Sequence, residues 1–218
     1  MKNFNYLFKK ETSINAYLDL ANMFHWQDVL KWNFSIKDLI KQLKKISSIK
    51  EIKVYYGTDP KNPKKSENLF KKIQSLGAIV YTKEVKYIKK EVNHFFFVKR
   101  KTLSLLNEKS LTKLNEFENA VKEQGLLIIE EPKCNFDVEI SLSMLDDVNK
   151  VSGYFLFSGD SDFKETLERL KLKGKNIYVF GVRGQVGYEL WPLMTKFIDF
   201  GRWYQGYKMR KPHLRGAA

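Results

Sequence analysis

The stretch Gly153 to Phe163 reads Gly-Tyr-Phe-Leu-Phe-Ser-Gly-Asp-Ser-Asp-Phe, and it decides the fold. Its apolar run stops at a glycine that is followed by Asp160 and Asp162, and Leu167 then follows Phe163 at helical spacing. This pattern predicts a buried strand that turns directly into an amphipathic helix. Both aspartates would then lie at the carboxyl end of the strand, where open α/β sheets bind their ligands.

The paired aspartates allow two interpretations. Carboxylates held close together repel each other, and proteins relieve the repulsion with a hard divalent cation or a shared proton. The same residues also fit a simple helix start, because Ser161 can act as an N-cap and Asp162 with Glu165 resembles a capping box. We favour the cation, and we expect other carboxylates to reach the same edge if that interpretation is correct.

Length, charge and cysteine content limit the class of protein. The chain has 218 residues with 43% hydrophobic content, enough for one sizeable core. Its formal net charge of +14 comes with 14% aromatic residues, which predicts a folded basic protein whose partners are polyanions. Cys134 is the only cysteine, so an internal disulfide and a thiolate zinc cage are excluded. The sequence lacks a signal-peptide pattern and an apolar run of about 18 residues, so we expect a cytoplasmic protein without membrane contact.

The N-terminal half alternates predicted strands and helices. Asp19 ends an apolar strand predicted at residues 14–20, and Asn22 follows it, before a predicted loop at residues 24–26. Further strands are predicted at residues 51–56 and 78–81, with helices from Ser35 and from Ser66. This alternation predicts a doubly wound, mostly parallel sheet with helices on both faces, which is a three-layer α/β/α fold.

The alternation is lost between about residues 82 and 132, where we predict an inserted basic segment. Lysines and arginines outnumber acids between residues 83 and 101, and aromatic residues lie among them. Such a mixture suits phosphate pairing and base stacking, so we predict nucleic-acid contacts from Lys99, Arg100 and Lys101. The run from Phe95 to Phe97 fits a core strand better than a stacking surface.

The C-terminal half resumes the alternation. A helix predicted from Asn135 has Val138, Leu142 and Leu145 at core spacing, which places Asp137 in its first turn. The helix dipole favours an acid there whatever its function. Strands are predicted at Tyr154, at residues 175–180 and at residues 197–200, and a glycine-punctuated loop after the second of them carries Arg183. We expect a leader at residues 1–13, a domain at residues 14–200 and a basic, aromatic tail at residues 201–218 that is mobile in part.

Three acidic stretches resemble the motifs of the NYN domain family in order and spacing. They read Tyr-Leu-Asp-Leu-Ala-Asn at 17–22, Lys-Cys-Asn-Phe-Asp at 133–137 and Phe-Ser-Gly-Asp-Ser-Asp-Phe at 157–163. That family has a PIN-like, flap-nuclease-like fold, and the resemblance spans about residues 14–200. It implies that one or two Mg²⁺ or Mn²⁺ ions are bound by Asp19, Asp137, Asp160 and Asp162, with Asn22 in support.

Two positions depart from the pattern of that family. Cys134 stands where the family usually has glycine, which is a minor change. Ser143 stands where many members carry a further acid. The missing acid argues for weaker catalysis, because it would otherwise bind a metal or orient its water.

The resemblance implies a metal-dependent nuclease that hydrolyses phosphodiester bonds, with RNA favoured over DNA. Carboxylate-held divalent ions can activate water and stabilise charge on phosphorus without a histidine base, in agreement with three scattered histidines. We predict nucleic-acid contacts from Asn22, Lys133, Ser158, Arg183, Lys99, Arg100 and Lys101.

Three other predictions stay open at this stage. A nucleic-acid-binding module with weak or absent catalysis on the same fold is the main alternative to the enzyme. A haloacid dehalogenase phosphatase is disfavoured, because Asp19 is not followed by the second aspartate that such enzymes need. The sequence is also compatible with a homo-oligomer.

Overall fold

The computed structural model describes residues 8, 10–91, 106–123 and 128–208. The elements in chain order are β1 (Ile14–Asp19), α1 (Leu20–Leu30), α2 (Ile36–Leu43), β2 (Ile49–Tyr55), α3 (Pro63–Ser75), β3 (Ile79–Tyr81), β4 (Lys86–Glu91), α4 (Glu108–Glu123), β5 (Ile128–Lys133), α5 (Asp137–Asp146), β6 (Gly153–Phe157), α6 (Lys164–Leu172), β7 (Asn176–Gly181), β8 (Lys196–Asp199) and α7 (Phe200–Lys208). Two 3₁₀ helices, Ser161–Phe163 and Tyr188–Leu190, follow β6 and β7. Within the described ranges, no helix combines the length and the apolar character that crossing a bilayer requires.

The chain divides into two compact units, and residues 85–133 form the smaller one. This unit contains α4 and the antiparallel pair of β4 and β5, in which Lys86 lies opposite Lys133. It overlaps the predicted insertion at about residues 82–132, whose boundaries and inserted character remain a prediction. The predicted contacts Lys99, Arg100 and Lys101 and the predicted strand at residues 95–97 lie outside the described residues.

A six-stranded sheet in the order β3-β2-β1-β6-β7-β8 forms the centre of the larger unit. Every neighbouring pair in it is parallel, which confirms the predicted α/β fold. The order of the strands reverses between β1 and β6. In doubly wound sheets ligands bind beyond the carboxyl ends of the strands at such a reversal, and Asp19 ends β1 there.

The side chains of β1 alternate between two hydrophobic cores, one on each face of the sheet. Ile14, Ala16 and Leu18 join a core with α1, α2, α3 and α7, whereas Tyr17 joins a core with α5 and α6. Both faces of a doubly wound parallel sheet are covered by helices, so its central strands read as continuous apolar runs. Asp19 ends β1 on the same face as Tyr17, since alternate residues of a strand share a face.

The predicted loop at residues 24–26 is wrong, because these residues lie within α1. The Asp19 carboxylate accepts a hydrogen bond from the backbone N–H of Asn22 at 3.1 Å and caps the helix directly after the strand. Met23 and Trp26 are buried in the core. Residues 24–26 therefore belong to a helix with one exposed face, which carries His25, and one buried face, which carries Trp26.

The apolar face predicted for α5 is also wrong. Val138 is 68% exposed and Leu142 is 56% exposed, whereas Ile140 and Met144 are fully buried. The helix carries apolar residues on more than one side, so spacing alone could not select the side that packs on the sheet. Phe136, which is buried just before the helix, extends the observed packing face.

The aromatic half of the predicted tail at residues 201–218 lies in the helix α7. Trp203 and Tyr204 of α7 are buried, and the Tyr204 hydroxyl accepts a hydrogen bond from the backbone N–H of Ser35 at 2.8 Å. The aromatic half of the tail is thus part of the domain core. Residues 209–218, the basic half, lie outside the described residues.

Candidate metal centre

Three carboxylates meet beyond the carboxyl edge of the sheet. Asp137 begins α5, and Asp160 and Asp162 follow β6. One ligand oxygen from each of these side chains lies within 4.8 Å of the others. Acids from distant parts of the sequence therefore lie together, and we call Asp137, Asp160 and Asp162 the acidic triad.

The turn after β6 positions two of these acids. The Asp160 carboxylate accepts a hydrogen bond from the backbone N–H of Asp162 at 3.1 Å and caps the 3₁₀ helix at Ser161–Phe163. The predicted cap at Ser161 is therefore wrong by one residue, and α6 begins without a side-chain cap. Capping and membership of the acidic triad are compatible, because the cap uses one oxygen of Asp160 and a carboxylate offers several lone pairs.

Glycine is required at position 159 because the loop after β7 passes very close to its backbone. Any side chain there would collide with the backbone carbonyl oxygen of Gln185. The two loops are also joined by a 2.8 Å hydrogen bond from the backbone N–H of Gly187 to the carbonyl oxygen of Gly159. The loop after β7 thus holds the turn that carries Asp160.

Gly159→Ala should therefore displace that turn, lower stability by about 1–3 kcal/mol and weaken metal binding. Chemical denaturation and a Mn²⁺ titration measure the two effects. Gly174→Ala is the control, since a Cβ there meets nothing within 4 Å and only its φ of +70° is unfavourable. That variant should lose stability but keep its metal affinity, and equal metal binding by both variants would contradict the role given to Gly159.

Asp19 lies beside the acidic triad but is not part of it. Its side chain is buried, and its second oxygen accepts a hydrogen bond from the Ser158 hydroxyl at 3.5 Å. Burial raises the pKa of Asp19 to about 6; the Asn22 hydrogen bond opposes this rise, and the charges of Asp137 and Asp160 add to it. The Ser158 hydroxyl also accepts a hydrogen bond from the backbone N–H of Asp160 at 3.3 Å, so one side chain joins Asp19 to the turn that carries Asp160. Direct metal contact by Asp19 remains a prediction.

Asp137 offers an unsatisfied ligand atom. Its Oδ2 is buried and has no hydrogen-bond partner. Burial raises the pKa of Asp137, and the charges of Asp160 and Asp162 raise it further, against the hydrogen bond to Asn135. A cation would pair with the orphaned oxygen and relieve the repulsion. The donor atoms are all carboxylate oxygens, which suit Mg²⁺ or Mn²⁺.

Lys83 is a neighbour of the acidic triad that the sequence did not single out. Its ammonium group lies 2.5 Å from the Glu139 carboxylate and 4.8 Å from the ring centroid of Phe136. It also lowers the pKa of Asp137 through its charge. Its position shortly after β3 was the available signal, because β3 ends at the same edge of the sheet as β1 and β6.

The predicted nucleic-acid contacts lie in different settings. Asn22 accepts a hydrogen bond from the backbone N–H of Gly159 at 3.4 Å, beside the acidic triad. Ser158 is fully buried, so its hydroxyl reaches Asp19 and the backbone of Asp160 and not the surface. Arg183 is 70% exposed and lies 3.5 Å from Asp199. Lys133 ends β5 in the smaller unit.

A buried polar cluster lies under α5 on the same face of β1 as Asp19. Asp147, which is 1% exposed, accepts hydrogen bonds from Tyr17 at 2.6 Å, from Asn15 at 2.7 Å and from Lys53 at 2.5 Å. Lys53 also donates to the Ser143 hydroxyl at 3.1 Å, so Ser143 contacts an ammonium group. Sequence reasoning did not single out Asp147, although this residue fixes the end of α5 opposite to Asp137.

Comparison with known proteins agrees with this architecture. The sequence model of the NYN domain matches residues 97–201, a range that contains the whole acidic triad but not Asp19. The Low amplitude and bright protein LabA of Synechococcus elongatus is 25% identical over 190 residues, which cover 87% of this chain and 84% of LabA. A crystal structure of a Vibrio parahaemolyticus protein of unknown function has the same fold, with a TM-score of 0.56 and 19% identity over 92% of this chain and 98% of that one.

Proposed function

Since residues 97–201 identify this chain as a member of the NYN domain family, we propose that it is a metal-dependent nuclease that hydrolyses phosphodiester bonds, in RNA before DNA. The observation that carries the proposal is the acidic triad, whose ligand oxygens lie within 4.8 Å and include an orphaned oxygen of Asp137. The net charge of +14 agrees with a polyanionic substrate.

The acidic triad would hold Mg²⁺ or Mn²⁺. Such an ion supplies activated water and charge stabilisation at the phosphorus. Asp19 and its partner Ser158 support the turn that carries Asp160. The Ser158 hydroxyl donates a hydrogen bond to the Asp19 carboxylate and accepts one from the backbone N–H of Asp160. The predicted contacts of Asn22, Lys133, Arg183, Lys99, Arg100 and Lys101 with the substrate backbone belong to this proposal.

We assign phosphate binding to Lys83 as well. In the absence of substrate its ammonium group pairs with Glu139, and each side chain of this pair is about two-fifths exposed, at 41% and 42%. Exposed ion pairs contribute little to stability, so a substrate phosphate can replace Glu139 as the partner at small cost. Lys83 therefore places a positive charge near carboxylates that would otherwise repel the phosphates of the nucleic acid.

Lys83→Ala should weaken RNA binding and reduce the salt dependence of binding by about one unit of slope, as expected for the loss of one phosphate contact. Fluorescence anisotropy at several salt concentrations measures both quantities. Lys173→Ala is the control, because Lys173 is an exposed lysine at the far end of α6. An unchanged slope in Lys83→Ala would contradict the assignment.

A nucleic-acid-binding module with weak or absent catalysis is the second candidate. The observation that favours it is Ser143, which contacts Lys53 and supplies no further carboxylate. Binding of RNA without metal-dependent cleavage would support this candidate over the enzyme.

Cleavage of labelled single-stranded RNA tests the proposed function. The wild-type protein should cleave it with Mg²⁺ or Mn²⁺ and should stop in EDTA. If folded protein cleaves the RNA with neither ion, the proposal of a nuclease is contradicted.

The single free cysteine, Cys134, agrees with action in a reducing compartment such as the cytoplasm, and homo-oligomer formation remains a prediction.

A further inference from the structure

Tyr188 presents an aromatic ring to solvent on a well-anchored piece of backbone. Its side chain is 81% exposed, although it belongs to the 3₁₀ helix Tyr188–Leu190. Leu190, two residues on, is fully buried, and its backbone N–H donates to the carbonyl oxygen of Gly187 at 3.2 Å. The ring is thus exposed while the chain that carries it is fixed on both sides.

The anchor of Tyr188 is the turn after β6, which carries Asp160 and Asp162 of the acidic triad. The preceding residue, Gly187, donates its backbone N–H to the carbonyl oxygen of Gly159 at 2.8 Å. Gly187 also lies against Ser161, since a Cβ on the glycine would be only 2.9 Å from the Cβ of Ser161. Tyr188 therefore directly follows Gly187, whose backbone contacts the segment that contains Asp160 and Asp162.

Packing does not account for the exposed ring. Trp191, in the same segment, is 49% exposed but packs on Phe197 with ring centroids 5.0 Å apart. Tyr188 belongs to neither hydrophobic core. An exposed aromatic ring on a loop whose backbone contacts the turn of Asp160 and Asp162 is suited to stacking on a base, because every base has a π face.

We propose that Tyr188 stacks on an unpaired base of the nucleic acid whose backbone lies at the acidic triad. This inference rests on the proposed function and deepens it, because it specifies a single-stranded nucleic acid as the substrate. In a duplex the faces of the bases are covered by their neighbours, so the ring has no base to contact. Stacking is tolerant of sequence and is shared by RNA and DNA, whereas recognition of the 2′-hydroxyl would come from other groups.

Binding of a short fluorescein-labelled single-stranded RNA in EDTA tests this proposal without cleavage. Tyr188→Ala should raise the Kd about 5- to 150-fold, the range for loss of one stacked base. Tyr188→Phe keeps the ring and should bind within about twofold of wild type, since stacking does not need the hydroxyl. Leu172→Ala is the control, because Leu172 is 87% exposed at the far end of α6.

A set of RNAs with one abasic site each locates the contact. At one position the missing base should weaken wild-type binding and leave Tyr188→Ala unaffected, which a phosphate contact cannot produce. A matching single-stranded DNA should show the same pattern, and a duplex RNA should bind wild type and Tyr188→Ala equally. Wild-type affinity in Tyr188→Ala, or no position with this pattern, overturns the stacking proposal alone. Failure of the wild-type protein to bind any nucleic acid overturns the proposed function with it.

Discussion

Asp160→Asn should reduce metal-dependent cleavage by about a thousandfold or more while RNA binding stays intact. The substitution keeps the shape of the side chain but removes a charged ligand from the acidic triad. A metal ion contributes several kcal/mol to stabilisation of the transition state, and each 1.4 kcal/mol changes the rate about tenfold. Single-turnover cleavage with Mn²⁺ measures the rate, and anisotropy in EDTA measures binding.

Asp146→Asn is the matched control for this prediction. Asp146 is an exposed carboxylate at the opposite end of α5 from Asp137, so the same change of charge is made away from the acidic triad. Its cleavage rate should equal that of wild type. Equal rates for Asp160→Asn and wild type would mean that the observed cleavage does not use the acidic triad.

Asp147→Asn should lower the free energy of unfolding by about 3–5 kcal/mol at pH 7, because it leaves the buried Lys53 without its main partner. Burial alone would raise the pKa of Asp147, but the hydrogen bonds from Lys53, Tyr17, Asn15 and Lys150 outweigh it and lower the pKa to about 2. The stabilisation is therefore present above the ordinary value of 3.8 and is lost as the pH falls through about 2.

Urea denaturation at pH values between 7 and 2 measures this dependence. The difference between wild type and Asp147→Asn should be full near neutral pH and should shrink below about pH 4. Lys150→Ala is the control, since that partner of Asp147 is largely exposed and should have a smaller effect. A difference that persists unchanged at pH 2 would show that shape, not ionisation, is what Asp147 contributes.

The fold was predictable because its central strands are buried on both sides. The run Tyr154 to Phe157 is continuously apolar, the strand that ends at Asp19 is mostly apolar, and glycines mark where helices stop. Gly77, with a φ of +72°, is one of these stops. The face of α5 was not predictable, because Val138 and Ile140 are both apolar and only the packed sheet distinguishes them.

The part of the candidate site that could be predicted consists of acids that lie in the turn after a recognisable strand. Asp160 and Asp162 follow a strand directly, so their place at the edge of the sheet followed from the chain itself. Asp137 needed the family resemblance, because an acid in a first helical turn is common. Lys83 and Asp147 were missed, since their partners Glu139 and Lys53 are 56 and 94 residues away and only the tertiary fold brings them together.

Binding of Mn²⁺ by the wild-type protein, followed by electron paramagnetic resonance, tests the central claim most directly: that the acidic triad holds a divalent cation. We expect saturable binding that Mg²⁺ competes away, and we expect Asp137→Asn and Asp160→Asn to lose at least about tenfold in affinity while Asp146→Asn does not. Folded wild-type protein without saturable Mn²⁺ binding, or equal binding by all of these variants, would contradict the claim.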